Sequence, residues 1–283
     1  MKKLLVPFDF SQLSLTALKF AAGFAHITSS RIYLLHVIQR PFIYVATADT
    51  LSYSYTNIEQ YKILDTHKKN AFDSLQVLIN SPEFKRLKII PKVEIGDNVY
   101  RVILDYAEMN KIEMIIMGSK GPYSFKRRII GTNAERILRF TDIPVLVINN
   151  KLTNLNLKNI VFPSNFENDS LQVYPFIHYI AKLYKSKVHL LHINTKKDFL
   201  PTEEMTKRFY KIKKRFDGNF KTAIRAAYEI NEGIVKYSKE VKADLIALGV
   251  RRRKGPARYF TDRITEDVIR HTTLPVLAID NPK

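Results

Sequence analysis

The chain has 283 residues, 46% of them apolar and 26% charged, and no cysteine. That length suits two domains of ordinary size, and the lack of cysteine excludes disulfides, thiol catalysis and cysteine-bound zinc. Forty-six Lys and Arg against 27 Asp and Glu leave a net charge of +19, divided as +7 over residues 1–150 and +12 over residues 151–283; such an excess favours anionic partners without specifying one.

The opening "MKKLLVPFDF" holds a short apolar run that Pro7 and Asp9 end too early for a signal peptide. No later run approaches the roughly 20 apolar residues of a membrane span, so the expected location is cytoplasmic. In chain order the strand candidates of the first half are Lys3–Phe8, Arg31–Ile38, Lys88–Glu94, Met114–Gly118 and Pro144–Ile148. Their nearly continuous apolar character suits strands covered on both faces of a parallel sheet. Leu18, Ala21, Ala22 and Ala25 mark one face of a helix between the first two strands, and Leu64, Ala71, Leu75 and Leu78 mark a second helix. Tyr100–Met109 and Asn133–Phe140 supply the third and fourth.

The series then repeats. "KKLLVPFDF" returns as "LKNIVFPSNF", "RIYLLHVI" as "SKVHLLHIN", "KIEMIIMG" as "KADLIALG" and "TDIPVLVIN" as "TTLPVLAID". Pro7 to His36 and Pro163 to His192 are both 29 residues, and Gly118 to Pro144 and Gly249 to Pro275 are both 26. Chance does not reproduce both intervals, so the chain is a tandem duplication with units over 1–150 and 157–283, each a doubly wound α/β layer. The units differ in the middle, where His36 to Gly118 spans 82 residues and His192 to Gly249 only 57. The aromatic stretch "RPFIYVATADTLSYSY" accounts for much of this excess and is expected to be a covering loop or subunit contact rather than a ligand lid.

In an open α/β sheet, ligands bind beyond the carboxyl ends of the strands, where the winding direction reverses. "GSKGPYSFKRRIIGT", Gly118 to Thr132, leaves a strand end of that kind. Its glycines let backbone N–H groups approach an anion. Thr132 and Glu135 have the spacing of a capping box, so the loop is expected to deliver a helix N-terminus suited to phosphate. In the second unit Arg252, Asp262 and Arg263 stand where the first has Gly121, Gly131 and Thr132. Both units keep the flanking strands, so folding alone does not explain these glycines.

The residues resemble the universal stress protein family, whose nucleotide-binding members carry G-x-x-G, nine residues, then G-[S/T]. Gly118, Gly121, Gly131 and Thr132 match that pattern, with Pro122–Ile130 as the nine-residue interval. "VPFDFS", "LLHV" and "IPVLVI" resemble the family's first, second and last strands, and the likeness covers nearly the whole chain twice. The resemblance implies two tandem Rossmann-like domains of the adenine nucleotide alpha hydrolase type, the first binding ATP. Asp9 would lie near the ribose and phosphates, Val37 would line the adenine pocket, and Met117 and Gly118 would run along the nucleoside. Gly121, Gly131, Thr132 and Asn133 would cradle the phosphates. Magnesium would enter mostly with those phosphates, because the sequence offers no carboxylate cluster. Lys120, Lys126, Arg127 and Arg128 either add charge to this site or form a solvated basic loop.

The second unit departs from the pattern: Asn165 replaces the Asp, and its loop "GVRRRKGPARYFTDR" keeps only the first glycine. It is not expected to bind ATP in the family manner. Arg251–Lys254 either hold another anion or form a solvated turn. The family resemblance further implies pairing of "PVLVI" with "PVLAI" inside the chain, closing two sheet edges, with a homodimer and an unknown protein partner as further expectations.

For catalysis, no G-x-S-x-G, H-E-x-x-H or G-x-x-x-x-G-K-[S/T] is present. His36 and His192 recur at equivalent strand ends in both units, which points to a structural role. The expected function is an ATP-binding regulatory module of a stress response rather than an enzyme. Two other readings stay open: a nucleotide-independent scaffold, and a basic nucleic-acid-binding protein whose affinity would fall steeply with salt.

Overall fold

The computed structural model describes residues 1–40, 50–120, 130–150, 156–167, 172–250 and 263–280. The first repeat runs β1 (Lys3–Pro7), α1 (Gln12–Thr28), β2 (Arg31–Gln39), α2 (Thr50–Ile79), β3 (Ile89–Gly96), α3 (Val99–Met109), β4 (Met114–Gly118), α4 (Thr132–Phe140) and β5 (Val145–Ile148). The second follows as β6 (Asn159–Pro163), α5 (Tyr174–Tyr184), β7 (Lys187–Asn194), α6 (Thr202–Arg215), β8 (Asn219–Ala226), α7 (Ile230–Glu240), β9 (Leu245–Val250), α8 (Arg263–His271) and β10 (Val276–Asp280).

The strands of the described residues form one sheet in the order β3-β2-β1-β4-β5-β10-β9-β6-β7-β8. Within each repeat the pairs are parallel. The two halves meet through an antiparallel seam, with Val147 opposite Val276, Leu146 opposite Leu277 and Val145 opposite Ala278. The expected pairing of the last strands inside the chain is therefore present, and it leaves neither of these two strands as an open edge. In each repeat the strand order reverses beside the first strand, between β1 and β4 and between β6 and β9. Helices cover both faces, so the chain is a mixed α/β protein of two Rossmann-like repeats.

Alternation along β5 shows how the core is divided. Leu146 and Ile148 join one apolar layer with Phe20, Phe24 and Leu34. Val145 and Val147 join the other with Ile103, Ile137 and Val268. Both layers cross the seam, since Leu277 lies in the first and Val276 in the second. The seam carries polar ties as well. Arg139 of α4 donates from Nη2 to Oε1 of Glu266 of α8 at 3.0 Å, and Asn149 Nδ2 donates to the carbonyls of Ile269 and Leu274.

The insert of the first repeat differs from its expectation as a loop. Residues 41–49 lie outside the described residues, but from Thr50 the stretch is helical and forms the start of the 30-residue α2. The corresponding α6 has 14 residues. Part of the extra length is thus spent on helix, where every added residue closes another backbone hydrogen bond.

Candidate nucleotide site

The crevice at the β1–β4 switch is built from two chain turns. The first follows β1. Phe8 N–H donates to the Leu35 carbonyl at 2.8 Å, tying the end of β1 to β2. Asp9 is half-buried, and its Oδ1 accepts from Ser11 N–H at 3.0 Å. Ser11 then caps α1 by accepting from Ser14 N–H at 3.2 Å. Asp-x-Ser is thus an Asx turn running into a helix cap, with Phe10 between them at φ 60° and 47% exposed. The signal for Ser11 was present in the sequence as Asp9-Phe10-Ser11 ahead of an apolar helix face.

The second turn follows β4. Met117 is buried opposite Val147, and Gly118 lies opposite Ile148. A Cβ on Gly118 would sit 2.8 Å from Leu13 Cβ and 3.2 Å from the Leu13 carbonyl carbon. The glycine therefore lets the first turn of α1 pack on the end of β4. Ser119, buried at 2% exposure, donates its N–H to the Ile148 carbonyl and accepts from Gly131 N–H at 2.7 Å. This pair fastens the return of the loop to the strand it left. It joins main-chain groups, so side-chain identity gave no warning of it.

Gly131, not Thr132, is the N-cap of α4, a correction to the capping-box expectation. Held by Ser119, Gly131 is extended at φ −65° and ψ 144°, and Thr132 is already the first helical residue. Glu135 does not reach back to the cap; it pairs with Arg139 on the helix side. Gly131 offers no side chain, so the helix entrance has no side-chain cap. The first intrahelical bond runs from Glu135 N–H to the Gly131 carbonyl, which leaves the N–H groups of Thr132, Asn133 and Ala134 without an intrahelical acceptor. Thr132 is exposed and Asn133 half-buried. Val37 is half-buried near the end of β2, opposite Glu94 of β3. Asp9, Val37, Met117, Gly118, Gly131, Thr132 and Asn133 thus all lie at the carboxyl ends of β1, β2 and β4 or at the start of α4. Gly121, Lys126, Arg127 and Arg128 lie outside the described residues.

A model of the universal stress protein family matches residues 1–149 and again residues 156–280. The chain belongs to the universal stress protein family. A universal stress protein of Methanocaldococcus jannaschii is 27% identical over 159 residues, covering 53% of this chain and 96% of the relative. One of Bacillus subtilis is 23% identical over 149 residues, covering 52% and 97%. The crystal structure of a universal stress protein from Archaeoglobus fulgidus superposes with a TM-score of 0.76 at 19% identity, over 99% of this chain and 98% of the other. A putative member from Pseudomonas aeruginosa gives 0.72 at 16%, over 99% and 93%. These likenesses establish the fold across both repeats.

The second universal stress repeat builds the same first turn with different consequences. Asn165 Oδ1 accepts from Glu167 N–H at 3.3 Å, and Phe166 takes φ 56°. Phe166, however, is 3% exposed and packs edge-on against Phe209 of α6 at 5.1 Å. Arg208 of the same helix donates to the Asn165 carbonyl at 2.8 Å. The shorter connection thus covers the turn that in the first repeat presents Phe10 to solvent. Arg252 and Asp262 lie outside the described residues; Arg263 is the first residue of α8.

His36 donates from Nδ1 to the Phe8 carbonyl at 2.7 Å, and His192 donates from Nδ1 to the Ser164 carbonyl at 3.1 Å. Each ties a second strand to the turn after a first strand, the shared structural duty their recurrence implied. Among the described residues no group of three or more His, Asp or Glu could hold a metal ion. No helix among the described residues is long and apolar enough to cross a membrane.

Proposed function

We propose that the first repeat binds ATP in the β1–β4 crevice, that the second does not, and that the protein works as a cytoplasmic regulatory module of a stress response rather than as an enzyme. The uncapped entrance of α4 carries this reading. Its free N–H groups and positive dipole end suit an anion, and Gly131 puts no Cβ or competing acceptor in the way. Asp9, fixed by its turn, faces the ribose and phosphate end. Val37 and Met117 supply the apolar wall for the base, and Gly121, Gly131, Thr132 and Asn133 hold the phosphates. Magnesium accompanies the phosphates and relies on them for most of its ligands. Occupancy shifts the chain toward the state that holds nucleotide better, which is the signal a partner protein reads.

Titration calorimetry of ATP into the protein and into Gly131→Asp tests the assignment. Aspartate is a good N-cap and the backbone at Gly131 is open to any L-residue, so the variant folds. Its carboxylate occupies the N–H groups and repels phosphate, and ATP binding is lost. Equal affinity in the variant removes the phosphates from α4.

A further inference from the structure

Among the described residues the outer strands of the sheet, β3 and β8, pair on one side only, and the two repeats differ at these edges. In the first, Ile32 N–H donates to the Lys88 carbonyl. The even-numbered residues of β3 therefore bond to β2, and Pro91 falls among those whose main chain faces outward. A proline there has no N–H to offer another strand, which guards an exposed edge. In the second repeat Leu190 pairs with Thr222 as Leu34 pairs with Pro91, so a threonine stands where the guard was. Ala227 N–H donates to the Asn194 carbonyl, which turns the main chain of Phe220, Thr222 and Ile224 outward. Their N–H groups have no acceptor among the described residues. The Ile224 carbonyl accepts from Arg225 Nη1 at 3.1 Å.

Beside this open edge a groove of about 310 Å3 runs between α6 and β8, lined by Thr206, Phe209, Tyr210 and Lys213 of the helix and by Thr222 and Ile224 of the strand. Tyr210 is 65% exposed. The charge around the groove is positive. Lys207, Lys211, Lys213 and Lys214 of α6 and Lys221 of β8 are exposed, and none has an ion pair among the described residues. The acidic residues of α6, Glu203 and Glu204, are confined to its first turn, and Glu204 pairs with Arg208.

We infer that β8 accepts an extended acidic segment of a partner protein as an added strand, bonded to the main chain of Phe220, Thr222 and Ile224. Main-chain bonds supply the affinity of such an addition, and alternate side chains supply its selectivity. Phe220 and Ile224 face the apolar layer of α6, whereas Ala223 joins the opposite layer, and Arg225 on that side lies over the Tyr237 ring. Apolar side chains of the added strand enter the groove against Tyr210 and Ile224. The alternate ones lie beside Lys221 and Arg225 and are Asp or Glu. A second copy of the chain is a poor occupant, because its own β8 would set Lys221 and Arg225 against these.

The probe is a fluorescent, capped heptapeptide of alternating glutamate and valine, titrated into the full chain by anisotropy. Its control is the same peptide N-methylated throughout, which keeps charge and side chains but has no N–H. The expected result is saturable binding of one peptide per chain, with hydrogen-exchange protection of the Thr222 and Ile224 amides and with the methylated peptide at least about tenfold weaker. Thr222→Pro copies the first repeat and weakens binding by about tenfold. Lys221→Glu does so by a similar factor without altering a main-chain group, and decides the matter if Thr222→Pro does not fold. Absence of saturable binding, equal binding of the methylated peptide, or full affinity in either folded variant overturns the assignment. Displacement of the peptide by oligothymidylate of matched charge at equal concentration, or self-association that Thr222→Pro abolishes, gives the edge to a polyanion or a second copy and overturns it as well.

Discussion

The loops that follow β4 and β9 start from the same glycine and then diverge. Gly118 and Gly249 are both retained, and the geometry at Gly118 shows why: a side chain there would collide with Leu13 at the start of α1. Gly131 is under no backbone demand for glycine, since φ −65° and ψ 144° suit any residue, and the second repeat has Asp262 in its place. One glycine serves packing and the other leaves a helix end bare. The duplication separates the two uses, which a single copy of the motif would have merged.

The largest effect expected from breaking this contrast is at Gly131. In Gly131→Asp the loss of ATP affinity is at least about 100-fold, while chemical denaturation finds stability unchanged or raised by a few tenths of a kcal/mol. A variant that binds normally, or that unfolds, ends the separation of roles.

A second difference between the repeats lies in the core. His189 is buried against Tyr237, its Nδ1 3.1 Å from the Tyr237 hydroxyl, where the first repeat has the ring pair Tyr33–Tyr106. Burial, then Lys221 and Lys187, hold the His189 imidazole down at about 4. The unfolded chain takes up a proton near pH 6.5 that the folded one refuses until about pH 4. Stability from this group is therefore complete above pH 6.5 and falls as pH drops to about 4, by up to about 3 kcal/mol. Urea unfolding across that window should show the slope in the parent and lose it in His189→Tyr, which copies the first repeat. A slope that survives the substitution assigns the pH dependence elsewhere.

Gly118→Ala should cost about 1–3 kcal/mol through the collision with Leu13, measured by denaturant midpoint, the reverse of the Gly131 pattern. Arg139→Met tests the seam. It removes one ion-pair partner of Glu266, which is 10% exposed in its side chain, and should lower stability by about 1–2 kcal/mol. The smallest effect belongs to Asp9→Asn. Asn165 shows that asparagine makes the same turn, so the fold is unaffected and ATP affinity falls by about tenfold or less. No change at all removes the Asp9 charge from the site.

The strands and the helix faces were legible because buried parallel strands write continuous apolar runs, whereas the pairing at the seam was expected from the family resemblance and not from the runs themselves. The Thr132–Glu135 spacing misled because a cap is fixed by where the chain stops being extended. That point is set by the main-chain bond between Gly131 and Ser119, which no side-chain pattern records. The aromatic insert misled for a related reason: apart from Leu51, Thr50–Tyr55 are polar and aromatic with no clear apolar period, yet they begin a helix whose later part is anchored by Leu64 and Leu75. In the second repeat the closing of the turn by Phe166 and Arg208 was invisible, since it depends on where a shorter connection lands α6.

Counting nucleotides per chain tests the account most directly. Saturating the purified protein with ATP and measuring bound nucleotide by calorimetry and by mass spectrometry of the intact complex should give one per chain. Two per chain, or none, would contradict the claim that a bare helix entrance in one repeat, and its replacement in the other, decides where nucleotide is held.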